Sequence, residues 1–141
     1  MTPVVVDASV AMKWFVPEPL SAEAVRLLDG SFELIAPDLL FPEFGNILWK
    51  KITRGEIRAA EGPKILAALE RVPFVVASSL PLLEPALEIA VATRRTVYDA
   101  LYLAVAVSRD CALVTADDRM ARALAGRPLA AHVHPLARPL A

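Results

Sequence analysis

The stretch Val4-Val5-Val6-Asp7-Ala8-Ser9, close to the N-terminus, indicates the class of fold. Three consecutive β-branched residues predict a short buried strand, and Asp7 follows that strand directly. Residues 9–15 then have the pattern of a short helix, which ends before Pro17 because proline disrupts the hydrogen bonding of a helix interior. The chain therefore opens with a strand, a carboxylate at the carboxyl end of that strand, and a helix.

Short apolar strands and helices alternate along the rest of the chain. Further strands are predicted at residues 32–35, 74–77 and 112–115, with an edge strand beginning at 132–133. Helical patterns cover residues 21–28, 39–54, 56–71, 82–93, 98–109 and 118–124. Such alternation is typical of a parallel sheet with helices on both faces. The predicted fold class is therefore α/β, with three layers (α/β/α) around a central parallel sheet, in one domain spanning residues 1–141.

Three of these helices carry specific expectations. Ser21 is well placed to cap the helix at 21–28. Gly62-Pro63 is expected to kink or break the helix at 56–71. The helix at 98–109 is apolar almost all round, so we expect it to be central and buried.

The composition fits a single globular domain. Of 141 residues, 56% are hydrophobic and 22% are charged, which supplies ample apolar surface for a core and argues against disorder. The single cysteine, Cys111, cannot form an internal disulfide, so a cytoplasmic location is expected. The sequence shows no signal peptide and no uncharged apolar stretch of about 18 residues, so no membrane span is expected. The net charge of −1 neither advertises nor excludes a nucleic-acid-binding protein.

Four acidic residues stand in apolar stretches of the chain. They are Asp7, Glu43, Asp99 and Asp117. Burying one ionised carboxylate is unfavourable unless a cation or a donor compensates it, and several together also repel one another. A divalent cation would remove that conflict, and hard oxygen ligands at this density suit Mg²⁺ or Mn²⁺. If the fold gathers the four side chains, the sequence predicts a metal site for phosphodiester chemistry.

The four side chains stand at the ends of predicted elements. In open α/β sheets, sites form beyond the carboxyl ends of the strands, where the strand order reverses. Asp7 and Asp117 follow predicted strands, whereas Glu43 and Asp99 lie near the starts of predicted helices. Each of them alone is also explained as a helix cap or a solvated helix residue, so only the joint pattern favours a site. Asp118 is the alternative to Asp117, and we place it behind the metal-site acids in a supporting position or at the surface, because it lies further from the strand end.

At these residues the sequence resembles the PIN-domain family, and within that family the VapC-type toxin branch. The resemblance covers nearly the whole chain and rests on the order and spacing of four motifs rather than on any one of them. The motifs are Val6-Asp7-Ala8-Ser9, Pro42-Glu43-Phe44 with Asn46, Tyr98-Asp99-Ala100-Leu101-Tyr102-Leu103-Ala104, and Leu113-Val114-Thr115-Ala116-Asp117.

The resemblance implies a Mg²⁺- or Mn²⁺-dependent ribonuclease that is often dimeric and usually paired with a VapB-type antitoxin. The positions that match the family's metal-site acids are Asp7, Glu43, Asp99 and Asp117. Ser9, Asn46 and Thr115 match positions that commonly support those acids by hydrogen bonding. The expected reaction is hydrolysis of an RNA phosphodiester, for which the metal activates water and stabilises the charge of the transition state. Asp7, Asp99 and Asp117 are the candidates for direct ligands, and Glu43 would bind metal or orient the water.

Contacts to RNA and to a partner are assigned from charge and apolar character. The candidate phosphate-binding residues are Lys13, Lys50, Lys51, Arg54, Arg94 and Arg95. Trp14 and Trp49 are expected in the core or a subunit interface rather than stacked on bases, because both lie in apolar helical patterns. The apolar runs at 14–16 and 39–41 lie near two of the acids, and they are the surface expected to accept an amphipathic segment of an antitoxin.

Other functions remain open on the sequence alone. The main alternatives are a non-catalytic PIN-like module that binds a metal or a partner, and a PIN nuclease outside a toxin–antitoxin system. An aspartyl-phosphate phosphatase is disfavoured because its Asp-x-Asp pattern would require an acid at Ser9, and a receiver domain because no acceptor Asp with a later Lys is evident. A zinc site is disfavoured because the chain has one cysteine and two histidines, His132 and His134.

Overall fold

Parallel strands form the centre of the molecule, as seen in a computed structural model that describes residues 1–140. Ala141, the last residue of the predicted domain, lies outside the described residues. The strands are β1 (Thr2–Val6), β2 (Phe32–Pro37), β3 (Val75–Ala77), β4 (Ala112–Thr115) and β5 (Val133–Pro135). They pair in parallel throughout, in the order β3-β2-β1-β4-β5. The predicted parallel sheet is confirmed.

Helices flank this sheet along the whole described chain. They are α1 (Ala8–Met12), α2 (Ser21–Val25), α3 (Leu40–Thr53), α4 (Gly62–Glu70), α5 (Leu83–Thr93), α6 (Val97–Ser108) and α7 (Asp118–Leu124). Among residues 1–140, none of the helices is both long enough and apolar enough to cross a membrane.

The core explains why the apolar runs form these elements. Val4, Val5 and Val6 of β1 are at most 1% exposed, so both faces of the central strand are covered, as expected for a parallel sheet between helices. Residues 100–106 of α6 are all buried, which confirms the prediction of a central helix that is apolar on every side.

The strand order reverses beside β1. From β1 the sheet extends through β2 and β3 on one side, and through β4 and β5 on the other. Val6 pairs with Val114, so the carboxyl ends of β1 and β4 lie next to each other. This reversal opens a crevice at the carboxyl ends of the two strands, which is where α/β proteins bind ligands.

One local prediction was wrong, and two others were confirmed with adjusted boundaries. Leu20, in a left-handed conformation with φ of 69°, precedes α2 in place of a Ser21 cap, and the Ser21 hydroxyl instead accepts from the Glu18 amide at 3.0 Å. The break predicted at Gly62-Pro63 is confirmed, because α4 begins at Gly62 after a 3-10 turn at Ala59–Glu61, and proline in the first turn suits a helix start. The regular helix is therefore shorter than the predicted range 56–71. The last strand begins at Val133, since His132 closes a 3-10 turn.

Candidate functional site

A cavity of about 460 Å³ opens at the carboxyl ends of β1 and β4. All four acids identified from the sequence line it: Asp7, Glu43, Asp99 and Asp117. Ser9, Lys13 and Thr115 also contribute to its wall. The fold therefore gathers the four carboxylates around one space, as expected from their positions at strand and helix ends.

Asp7 is the most constrained of the four side chains. It caps α1 by accepting a hydrogen bond from the Val10 amide at 2.9 Å. The hydroxyls of Ser9 and Thr115 donate to its two carboxylate oxygens at 2.8 Å and 2.7 Å. Burial raises the pKa of Asp7 in spite of these donors, and the charge of Asp117 acts in the same direction. Asp7 is thus a half-buried, desolvated carboxylate whose charge the protein does not fully compensate.

Glu43 is a second carboxylate of the cavity wall whose charge the protein does not fully compensate. It lies in the first turn of α3, and its carboxylate accepts a hydrogen bond of 2.6 Å from the Tyr102 hydroxyl. Burial raises the pKa of Glu43, the Tyr102 hydrogen bond opposes that shift, and the charges of Asp99 and Asp7 add to it. Burial and the nearby Glu43 also raise the pKa of Tyr102, so this hydroxyl remains a donor.

Asp99 and Asp117 differ because arginines neutralise them. The Nη2 of Arg95 lies 2.9 Å from Asp99 Oδ2 and 3.2 Å from Asp117 Oδ2. Arg119 approaches Asp117 from the solvent side, with its Nε 3.0 Å from Oδ1. Burial opposes the ionisation of Asp117, but the hydrogen bonds and charge of Arg119 and the charge of Arg95 outweigh it and hold its pKa below the ordinary value. The cavity therefore contains two carboxylates that no cation of residues 1–140 pairs with, those of Asp7 and Glu43, and two that arginines pair with, those of Asp99 and Asp117.

Two polar residues considered from the sequence lie away from the cavity. Asn46 is exposed on α3 and Asp118 is exposed at the start of α7, and neither belongs to the cavity wall. The predicted exposed position of Asp118 agrees with this arrangement. His132 uses Nδ1 to bond the carbonyl oxygen of Cys111 at 2.8 Å, and His134 bonds the carbonyl of Arg138, so both rings have backbone partners.

The candidate phosphate-binding residues fall into two groups. Lys13 and Lys51 both pair with Glu18, at 3.0 Å and 2.9 Å, and are largely shielded from solvent. Arg95 is engaged by the acids of the cavity. The exposed members are Lys50, Arg54 and Arg94.

The aromatic and apolar predictions are partly wrong. Trp14 is in the core as expected, packed against Phe74 with its indole nitrogen donating to the Ala24 carbonyl at 2.8 Å. Trp49 is 60% exposed, so it does not belong to the core, and its expected place in a subunit interface stays a prediction. The runs at 14–16 and 39–41 are largely taken up by packing, since Phe15 contacts Phe44 and Leu40 is fully buried. Phe41, at 37% exposed, is the exposed member of these two runs.

Two residues of the cavity were missed in the sequence. Tyr102 lies one helical turn after Asp99 on α6, and this spacing places the two on the same face of the helix. Arg119 follows Asp117 by two residues and could have been identified as a partner by that proximity. Nothing local marks the pairing of Arg95 with Asp117, because the two residues are 22 positions apart.

The donor set fits a hard divalent cation. Four carboxylates line the cavity, and two of them, Asp7 and Glu43, have raised pKa values that an additional positive charge would lower. In this arrangement of residues 1–140, no three acidic, histidine or cysteine side chains converge closely enough to hold an ion, and Arg95 occupies oxygens of Asp99 and Asp117. Binding would therefore require side-chain movement, and Asp99 and Asp117 would have to exchange partners.

Comparison with known proteins finds relatives that are named ribonuclease VapC. Ribonuclease VapC3 of Pyrobaculum aerophilum is 36% identical over 119 residues, which cover 83% of this chain and 91% of that protein. Ribonuclease VapC1 of Mycobacterium tuberculosis is 32% identical over 121 residues, covering 84% of this chain and 89% of that protein.

Solved structures share the fold. A crystal structure of VapBC2 from Rickettsia felis, bound to a DNA fragment from its promoter, aligns with a TM-score of 0.67 at 11% identity, over 95% of this chain and 98% of that chain. A crystal structure of a Pyrobaculum aerophilum protein aligns with a TM-score of 0.61 at 25% identity, over 96% of this chain and 84% of that chain. The family model of the PIN domain matches residues 4–125. The chain, with its acidic cavity at the reversal of a five-stranded parallel sheet, belongs to the PIN-domain family.

Proposed function

We propose that this protein is a Mg²⁺- or Mn²⁺-dependent endoribonuclease and the toxin of a VapBC-type toxin–antitoxin pair. The observation that carries the proposal is the convergence of Asp7, Glu43, Asp99 and Asp117 on one cavity. The relatives named ribonuclease VapC, which match most of the chain, support RNA as the substrate class. Residues 1–141 form a single nuclease domain in this proposal, and its place of action is the cytoplasm.

The four acids have different roles in the proposed site. Asp7, Asp99 and Asp117 would hold the metal, and Glu43 would hold it or orient the attacking water. When bound, the ion would supply Lewis-acid activation of water and stabilisation of charge on the phosphate. One bound ion and two bound ions are both compatible with this donor set.

Neighbouring side chains position these acids. Ser9 and Thr115 hold both oxygens of Asp7, so this carboxylate has one orientation at the end of β1. Tyr102 donates to one oxygen of Glu43 and leaves the other free to accept a bond from water. Asn46 has no such contact with the cavity wall, so we assign it no supporting role.

RNA would approach over the exposed cations Lys50, Arg54 and Arg94. Their charges attract the phosphate backbone without reading the base sequence. Lys13 and Lys51 contribute less, because Glu18 already pairs with both.

An antitoxin would cover a stripe on α3, on the flank of the helix that faces away from Glu43 and Ile47 of the cavity wall. Phe41 and Trp49 are 37% and 60% exposed and lie two turns apart on this helix. Gly45 lies between them, and a Cβ atom at this position would meet no neighbouring atom of residues 1–140 within 4 Å, so the stripe has a shallow floor. An amphipathic antitoxin segment would place apolar side chains on this stripe, and a different segment of the antitoxin would place a cationic side chain in the acidic cavity.

A second copy of the chain would pack against α5. Leu83, Leu87 and Val91 recur every fourth residue and are 42%, 55% and 74% exposed, so they form one apolar face of the helix. If this face mediates a homodimer, Val91→Asp should give a monomer in sedimentation experiments. A wild-type protein that sediments as a monomer would contradict the proposed dimer.

Cleavage of single-stranded RNA in Mn²⁺ tests the nuclease. Asp99→Asn should abolish cleavage, because it removes a charged metal ligand. The matched control is Asp118→Asn, which makes the same change at an exposed position outside the cavity and should keep full activity. Full activity of Asp99→Asn, or of the wild type in excess EDTA, would contradict a metal-dependent nuclease.

Expression in the host tests the toxin assignment separately. The wild-type protein should arrest growth, and Asp99→Asn should not. Harmless expression of a protein that cleaves RNA in the tube would leave a PIN nuclease outside a toxin–antitoxin system.

A further inference from the structure

Arg95 occupies an unusual position for a candidate RNA-binding residue. It lies in the short loop between α5 and α6, directly after Arg94, whose backbone is left-handed with φ of 57°. This turn brings the Arg95 side chain against the cavity, where it is only 18% exposed. The same guanidinium nitrogen contacts Asp99 at 2.9 Å and Asp117 at 3.2 Å.

Arg95 is held in place by its attraction to two carboxylates, although not all of its N–H donors have hydrogen-bond partners among the described residues. Its Nε is buried and has no hydrogen-bond partner within residues 1–140. An unpaired buried donor is unfavourable, so the guanidinium holds this position because two carboxylates attract it. Arg119 differs, since its side chain is 70% exposed and its pairing with Asp117 is screened by solvent.

The position of Arg95 coincides with two of the proposed metal ligands. A guanidinium and a divalent cation compensate the same negative charges, but they cannot share the same carboxylate oxygens. Because Arg95 is joined to the chain and largely shielded, it is present at the site at a high local concentration and competes with any ion from solution.

We propose that Arg95 is an intramolecular counter-cation of the acidic cavity, and that a divalent metal ion must displace it from Asp99 and Asp117 in order to bind. The proposal rests on the metal-dependent function above. Displacement would leave the guanidinium beside the site, where the phosphate of RNA is the anion that it can then bind. Arg95 would thus contact RNA only in the metal-loaded protein.

Calorimetric titration with Mn²⁺ tests this competition without measuring RNA cleavage. Arg95→Gln should bind Mn²⁺ about tenfold more tightly than the wild type, the size of effect expected when a charge next to a carboxylate is removed. The matched control is Arg71→Gln, which removes the same charge from the exposed end of α4, outside the cavity wall. The control should bind Mn²⁺ as the wild type does, because distant exposed charges are screened.

Thermal unfolding without metal should show the opposite effect of Arg95→Gln, a loss of stability rather than a gain in metal affinity. In EDTA, Arg95→Gln should melt at a lower temperature than the wild type, because Asp99 and Asp117 lose their shared cation. Mn²⁺ should then raise the melting temperature of Arg95→Gln more than that of the wild type. If Arg95 only stabilised the structure, its removal would disorder the carboxylates and Arg95→Gln would bind Mn²⁺ more weakly than the wild type. Equal or weaker Mn²⁺ binding by Arg95→Gln would overturn the proposal.

A measurement on the wild type covers the case in which Arg95→Gln does not fold. The Nε–H of Arg95 is buried and should give a protected NMR signal in protein labelled with ¹⁵N-arginine, assigned by its loss in Arg95→Lys. Titration with Mg²⁺ should remove this protection as the guanidinium leaves. A signal that stays unchanged at saturating Mg²⁺ would overturn the displacement.

These outcomes separate the inference from the function on which it rests. If Arg95→Gln binds Mn²⁺ more tightly than the wild type but the wild type does not cleave RNA, the counter-cation is supported and the nuclease is contradicted. RNA cleavage with equal Mn²⁺ binding by both proteins would support the nuclease and overturn the counter-cation. Absence of Mn²⁺ binding in every variant would overturn both.

Discussion

Asp7 shows how much of the site depends on single side chains. Three donors, from Ser9, Val10 and Thr115, surround its carboxylate, yet burial still raises its pKa. The hydrogen bonds orient the side chain, but they do not replace the solvation that its charge loses. Orientation without full charge compensation is the condition in which a carboxylate gains most from a metal ion.

This environment makes stability depend on pH when metal is removed. An acid with a raised pKa in the folded state costs nothing while it is protonated, and its penalty appears as the pH rises through that pKa. In EDTA, the wild type should therefore lose stability as the pH rises above about 4, the ordinary pKa of an aspartate, and Asp7→Asn should lose less. Urea unfolding across this range would measure the difference.

The asparagine variant can keep much of the local structure. Its side-chain oxygen can still accept from Val10, and the Thr115 hydroxyl can turn to accept from the new amide. Asp118→Asn is the control, since this residue is exposed. A steeper pH dependence in Asp7→Asn than in the wild type would contradict the assignment of Asp7 as a carboxylate destabilised by burial.

At the scale of the element, helix α3 has one face that packs into the core and another that is exposed to solvent. Phe44 is fully buried and contacts Phe15, whereas Trp49 on the same helix is 60% exposed. Both positions are aromatic in an apolar pattern, and the sequence placed Trp49 in the core or a subunit interface. The difference arises because the helix presents only part of its circumference to α1 and the sheet.

Alanine substitutions at these two positions should differ strongly. Phe44→Ala should lower the free energy of unfolding by roughly 3–5 kcal/mol, because it opens a cavity in the core. Trp49→Ala should change it by no more than about 0.5 kcal/mol, as expected for a surface position. Chemical unfolding measures both, and a large loss for Trp49→Ala would show that this side chain is packed in solution.

The Trp49→Ala substitution also tests the proposed antitoxin surface. Trp49→Ala should keep the toxicity of the protein while weakening its neutralisation by the antitoxin, since the stripe formed by Phe41, Gly45 and Trp49 would lose its largest side chain. Neutralisation at wild-type strength would move the partner surface away from α3.

At the scale of the whole molecule, the charge distribution limits how RNA can bind. The net charge is −1, and several cations are already paired with acids. Binding therefore depends on a few exposed residues, of which Lys50, Arg54 and Arg94 are the candidates.

RNA affinity should consequently fall with salt, but only moderately. Three phosphate contacts to a single strand give a slope of log affinity against log salt of about −2, and removal of one contact should reduce it by about 0.7. Binding of RNA to an inactive Asp99→Asn protein, measured across a range of salt concentrations, would give the slope for Lys50→Ala and for the control Arg71→Ala. A slope near zero would contradict binding over these cations.

Most of the fold could be predicted because its signals are local. The apolar run at 4–6 and the helix at 98–109 contain their own periodicity, and both are buried as expected. Boundaries were less predictable where the backbone decides them, as at Leu20 with its left-handed conformation. The four acids could be identified because each one stands at an element end, although their role as metal ligands stays a prediction.

The sequence by itself determined the order of strands and helices, the burial of α6 and the presence of four carboxylates, since these follow from periodicity and residue type. Only the tertiary structure decided which strands are neighbours and which charges meet. The placement of β4 beside β1 brings Thr115 to Asp7, and the packing of α6 brings Tyr102 to Glu43. Arg95 reaches Asp117 in the same way. These contacts join residues far apart in the chain, and their geometry depends on how whole elements pack, which no local pattern encodes.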